Sequence, residues 1–127
     1  MRKPLLAMLS ISLLFSSAAA LADLEQDMDM LKGGLRVVMK TDDRAEMTRA
    51  LGDMRKAAQD ARTQTPDKLE GQPADSAQVK DFHAGIDSLI AQINVVDKLA
   101  QANNLDGAKA EAKKLTDIRD SNHKKFR

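Results

Sequence analysis

The chain has 127 residues, with 20 Lys or Arg against 19 Asp or Glu, three Phe, and no Cys, Trp or Tyr. Without cysteine there are no disulfides, thiolate zinc sites, iron–sulfur clusters, cysteine nucleophiles or thioether-linked haem. Balanced charge and the lack of Trp and Tyr argue against nucleic-acid binding, which relies on a basic surface or on aromatic stacking platforms.

The first segment reads as a secretory signal peptide: Arg2 and Lys3, an apolar run from Leu5 to Phe15, then small residues from Ser16 to Ala22. The run is shorter than the roughly 20 residues of a membrane span. Ala20-Leu21-Ala22 fits the cleavage rule, so residues 1–22 are expected to be removed. Residues 23–127 then form one domain, with 18 basic side chains against 19 acidic ones once Arg2 and Lys3 are gone. No later segment is apolar enough to insert in a bilayer.

Helix-formers dominate the remainder, and its β-branched residues are scattered, which predicts an all-α fold. Asp23 can cap a first helix whose face is Leu24, Met28, Leu31, Leu35 and Val38, at helical spacing. Gly33 and Gly34 interrupt it and leave room for a neighbour to approach. Thr41-Asp42-Asp43 breaks the pattern, and Asp43 with Glu46 three residues on marks the start of a second helix. Its inner face, Met47, Leu51, Met54, Ala58 and Ala61, tapers to alanine.

Thr65-Pro66, Gly71 and Pro73 mark the longest loop. Asp75 or Ser76 caps a third helix with the most apolar stripe: Val79, Phe82, Ile86, Leu89, Ile93 and Val96. Asn103-Asn104 makes the last turn, and a fourth helix carries Leu105, Ala108, Ala112, Leu115 and Arg119 inward. Four amphipathic helices with short connections predict an antiparallel up-down-up-down four-helix bundle.

That topology puts the start of helix one and the end of helix four at the same end of the bundle. Met28 and His123 are then at similar depths, about 8 Å and 6 Å from the respective ends of the domain. Thioether and imidazole together form an axial pair for haem iron, and copper is the alternative metal for the same two donors. Each residue taken singly has a plainer reading, core packing for Met28 and an exposed helix end for His123. His83 also falls at this end, but it is rotated about 100° from the stripe residue Phe82, which predicts a place at the pocket rim or in solvent. No nucleophile has an adjacent base, there is no glycine-rich phosphate loop, and no Glu-x-x-His pair occurs, so no enzymatic activity is expected.

Several segments carry a resemblance to the soluble periplasmic cytochrome b562 family: Ala22-Asp23-Leu24-Glu25 with Met28 downstream, Thr65-Pro66-Asp67-Lys68-Leu69, Lys80-Asp81-Phe82, and Arg119 with His123. It spans essentially the whole of the mature chain. The resemblance implies a non-covalently bound haem b with Met28 and His123 as axial ligands to its iron. It also implies haem walls formed by Leu31, Leu35, Met54, Pro66, Phe82, Ile86, Leu89 and Arg119, with Arg127 near a propionate. Ile86 stands where the familiar member has a second phenylalanine, and Asp67 where it has a second proline. Related c-type bundles have cysteines at the positions of Arg119 and Asn122, so haem here is held by coordination and packing. The implied function is periplasmic one-electron transfer by a monomer with donor and acceptor proteins as partners. The alternative is a haem-free periplasmic helical bundle acting as a binding or stress adaptor.

Overall fold

A computed structural model describes residues 24–126. The chain is helical over 24–40 (α1), Arg44–Arg62 (α2), Ala77–Gln101 (α3) and Leu105–Phe126 (α4). A single 3-10 turn at Asp67–Leu69 sits in the long loop, and there is no strand among the described residues. The signal segment and the Asp23 cap lie outside the described residues.

Most helix boundaries have a local cause. Asp43 has extended backbone, and its carboxylate accepts a hydrogen bond from Ala45 N at 3.1 Å, satisfying one of the donors a helix start leaves open. Thr41 Oγ1 accepts from Asp43 N, so the three-residue turn is tied to itself. At α3 it is Ser76, rather than Asp75, whose side chain caps, accepting from Val79 N at 3.2 Å. The α3–α4 turn has Asn103 at φ +59°, a left-handed conformation that asparagine tolerates better than most residues. Asn104 Oδ1 then accepts from Gly107 N and caps α4.

Contacts between helices establish the topology. Gly34 of α1 abuts Met54 of α2, whose sulfur lies 3.0 Å from the place a Cβ on Gly34 would occupy. Arg55 of α2 donates to Asn94 and Asp97 of α3 at 2.7 and 2.9 Å, and Arg62 donates to Asp87 at 2.7 Å. Gln92 of α3 donates to the Glu111 carbonyl of α4 at 2.8 Å, and Lys125 reaches Asp81 at 3.5 Å. Numbers rise along one helix as they fall along its neighbour, so the packing is antiparallel throughout. Lys109 Nζ closes the circuit on Asp42, in the α1–α2 turn, at 2.8 Å. The fold is the up-down-up-down four-helix bundle that the helical stripes predict.

The stripes meet in one apolar core. Leu31, Leu35 and Val38 come from α1 and Met47, Leu51, Met54, Ala58 and Ala61 from α2. The whole predicted α3 stripe is buried, as are Ala108, Ala112 and Leu115 of α4. Burying each large aliphatic side chain stabilises the fold by about 1.5–3 kcal/mol, which is why this stripe outweighs the cost of two central glycines in α1. The largest sealed side chains, Met47, Leu51, Met54, Ile93 and Leu115, lie in the middle turns and toward the α1–α2 turn. At the opposite end α1 is less enclosed: Leu24 is partly buried and Met28 is 38% exposed.

Candidate functional site

The less enclosed end gathers the start of α1, the end of α2, the long loop, the start of α3 and the end of α4. Helical geometry determines which side chains meet there. On α1, Gly34 lies about 60° to one side of Leu31 and Met28 about 60° to the other. Because Gly34 abuts α2, Met28 is carried on the flank of α1 turned toward α4. On α4, Asn122 lies about 40° to one side of the Ala108 direction and His123 about 60° to the other. Asn122 faces α3, where its amide carbon and nitrogen stand 2.7 and 2.9 Å from the place a Cβ on Gly85 would occupy. His123 shares its flank with Lys109, the residue that reaches the α1–α2 turn.

Met28 and His123 therefore lie on the facing flanks of two antiparallel helices. The Asp42–Lys109 bridge fixes their register: counting back from Asp42 to Met28 and forward from Lys109 to His123 covers the same fourteen residues. At about 1.5 Å per helical residue, Met28 is about 18 Å from the end of α1 at residue 40, just before Asp42, and His123 is about 21 Å from Lys109. Both are exposed, and neither is sealed among the core side chains.

The predicted wall residues divide into groups. Leu31, Leu35, Met54, Phe82, Ile86 and Leu89 belong together to the continuous core between 1% and 7% exposed, and Pro66 is buried in the long loop. Arg119 is half-buried, and its Nε and Nη2 both donate to Asp120 Oδ1, at 3.2 and 3.1 Å. Arg127 lies outside the described residues. A cleft of about 410 Å³ opens at this end between Leu69, Gln72, Gln78 and Phe126, beside the wall residues rather than among them.

His83 is half-buried beside Phe82, with ring centres 5.9 Å apart. It falls on the α3 flank that carries Asp87 and Asn94 toward α2, away from α4 and His123. Phe126 is a site-end residue that the sequence reading left without a role. It packs edge-on against Phe82 with ring centres 5.4 Å apart, and its spacing of eleven residues from Leu115 could have placed it on the α4 stripe.

Two carboxylates near the helix seams are electrostatically tuned. The Arg62 guanidinium holds Asp87 below its ordinary 3.8, mainly through the hydrogen bond between them. Lys109 lowers Asp42 in the same way. The first pair joins α2 to α3 one turn from His83, which also lowers Asp87 slightly, and the second ties α4 to the α1–α2 turn at the far end of the bundle. Among the described residues no group of three or more His, Cys, Asp or Glu is placed to hold a metal ion. Nor is any helix among them long and apolar enough to cross a membrane.

One thioether and one imidazole, supplied from facing helices beside an apolar wall, suit a flat iron cofactor that fills the other four positions itself. The donor chemistry and the small alanines buried at the end of α2 fit such a group. The fold is thus a four-helix bundle that carries one thioether and one imidazole at its less enclosed end.

Comparison with known proteins names the particular kind. The pattern of the cytochrome b562 family matches residues 23–127, and the chain belongs to this family, whose members bind haem b non-covalently. It is 37% identical to a protein of Yersinia pestis named probable soluble cytochrome b562 1, over 91% of each chain. It is also 37% identical to a second, probable soluble cytochrome b562 2, over the full length of both. An uncharacterised protein of Pasteurella multocida is 34% identical over 97% of this chain and 98% of its own.

Proposed function

We propose that this chain is a periplasmic one-electron carrier in which Met28 Sδ and an imidazole nitrogen of His123 are the axial ligands of haem b. The carrying observation is the placement of the two donors on facing flanks of α1 and α4, each fourteen residues from the Asp42–Lys109 bridge. When bound, the haem supplies an iron that changes charge by one electron without proton transfer. With Met28 and His123 both holding it, the iron would have no open position for oxygen or a substrate, which favours carriage over catalysis.

The surrounding residues have separate tasks. Phe82, Ile86 and Leu89 of α3, with Leu31, Leu35 and Met54, supply the apolar wall that excludes water. Arg119 is near enough to His123 in sequence, one helical turn away, to leave Asp120 for a propionate, and Arg127 is the second cation for that role. A methionine donor raises the iron potential relative to a second imidazole, which suits transfer between donor and acceptor proteins. Export by residues 1–22 and a monomeric mature domain complete the reading. A family match that begins at residue 23 supports that division of the chain.

Reconstitution with haem followed by reduced optical spectra is the test. The wild type should give a low-spin, six-coordinate spectrum, Met28→Leu and His123→Ala should each lose it, and His83→Ala should keep it. A high-spin wild type, or spectra indifferent to the first two substitutions, overturns the assignment.

A further inference from the structure

Met28 and Met30 differ from the other described methionines. Met47 and Met54 are 0% and 1% exposed and Met39 is half-buried, whereas Met28 and Met30 are 38% and 51% exposed. Two positions on a helix are about 200° apart, so the exposed pair presents thioethers in nearly opposite directions from the same turn of α1. The chain holds no Cys, Trp or Tyr. Its thioethers are thus the most readily oxidised side chains it has, and accessibility separates these two from the other described methionines.

We infer that Met28 is an oxidant-sensitive modification site at which a peroxide switches off haem loading. A lone pair of the Met28 sulfur attacks one oxygen of the peroxide. The S–O bond forms as the O–O bond breaks, sulfur gives up two electrons, and the second oxygen leaves with both protons as water. The product sulfoxide is polar and chiral, and it replaces the soft, electron-rich thioether donor with a hard oxygen. Met30, on the same turn but turned away from α4, takes up oxidant without touching the donor pair. The loss of loading rests on the reading of Met28 as a ligand, while the selective oxidation rests on exposure alone.

The experiment treats purified protein, freed of haem by solvent extraction, with hydrogen peroxide. Peptide mass spectrometry follows each methionine with time, catalase ends the reaction, and haem is titrated into each sample. Met28 and Met30 should be converted before Met47 and Met54. In the Met30→Leu protein, low-spin haem binding should fall in proportion to Met28 sulfoxide, down to the level of unoxidised Met28→Leu. Treatment with both stereospecific methionine sulfoxide reductases should restore it.

Conversion of Met28 no faster than Met47 and Met54 overturns the inference, and so does full Met28 conversion with haem binding unchanged. Unoxidised Met28→Leu separates the two claims. If it binds haem with the wild-type spectrum, the ligand assignment itself has failed. If it does not, and Met28 resists peroxide, only the oxidation site has failed.

Discussion

Gly85 and Asn122 offer a direct test of how α4 is seated beside α3. A Cβ on Gly85 would lie 2.7 Å from Asn122 Cγ and 2.9 Å from its Nδ2, roughly 1 Å inside the 3.5–4.0 Å separation at which carbon atoms attract. The Gly85→Ala substitution thus has two opposed effects. Replacing a mid-helix glycine by alanine stabilises by about 1 kcal/mol. Forcing the Asn122 amide out of its seat costs about 1–2 kcal/mol, toward the low end for overpacking because the displaced atoms end a short side chain. Their sum leaves Gly85→Ala neutral to about 1 kcal/mol destabilising. In an Asn122→Ala background the clash is gone, and the same substitution should stabilise by about 1 kcal/mol. The coupling of about 1–2 kcal/mol is measurable by urea unfolding of haem-free protein. It corresponds to a difference of roughly 4–16 °C in melting temperature for a domain of this size. If Gly85→Ala stabilises equally in both backgrounds, Asn122 does not sit on Gly85, and the rotation assigned to α4 and His123 loses its support.

Other expectations follow from single contacts. Leu115→Ala, at a side chain 1% exposed, should destabilise by about 2–5 kcal/mol, while Val95→Ala, at 41% exposure, should stay within about 0.5 kcal/mol; equal effects in urea titrations would contradict the core assignment. Asp43→Ala should remove about 1 kcal/mol through the lost α2 cap, and Asp43→Asn should retain most of it. Because Arg62 depresses the folded-state pKa of Asp87 below 3.8, that carboxylate contributes stability above its unfolded pKa and loses it as pH falls through the folded value. The stability difference between wild type and Arg62→Gln should accordingly be present at pH 7 and vanish in strong acid, and an NMR titration should show Asp87 rising toward 3.8 in Arg62→Gln. Free haem at a thousandfold excess over Kd should add about 4 kcal/mol to unfolding stability; a melt indifferent to haem would favour the adaptor reading.

Much of this molecule is determined locally. The stripe at Val79, Phe82, Ile86, Leu89, Ile93 and Val96 must become one face of a helix, because only a 3.6-residue period aligns those side chains. The turns at Thr41-Asp42-Asp43 and Asn103-Asn104 are specified by side chains that bond their own backbone. Caps and periodicity act over a few residues, so α2, α3, the turns and the antiparallel order follow from the sequence alone. That Met28 and His123 come to one end follows as well, since chain direction alternates across short connections.

Azimuth and exposure are different, because they depend on which neighbour each helix meets. Period alone puts Met28 on the α1 stripe with Leu31 and Leu35, yet the flank it occupies is settled by Gly34 lying against Met54 on the other side. Period also puts Arg119 inward, where it is half-buried and folded back on Asp120. Phe126 packs edge-on against Phe82 of another helix, a partner that its own segment does not specify. Which side of α4 carries His123 toward α1 was likewise decided by Asn122 seating on Gly85, a contact between residues 37 apart in sequence. Helix formation is a short-range property of the chain, but the rotation of one helix against another is set by the fit of side chains into a neighbour's surface. No single segment contains that information.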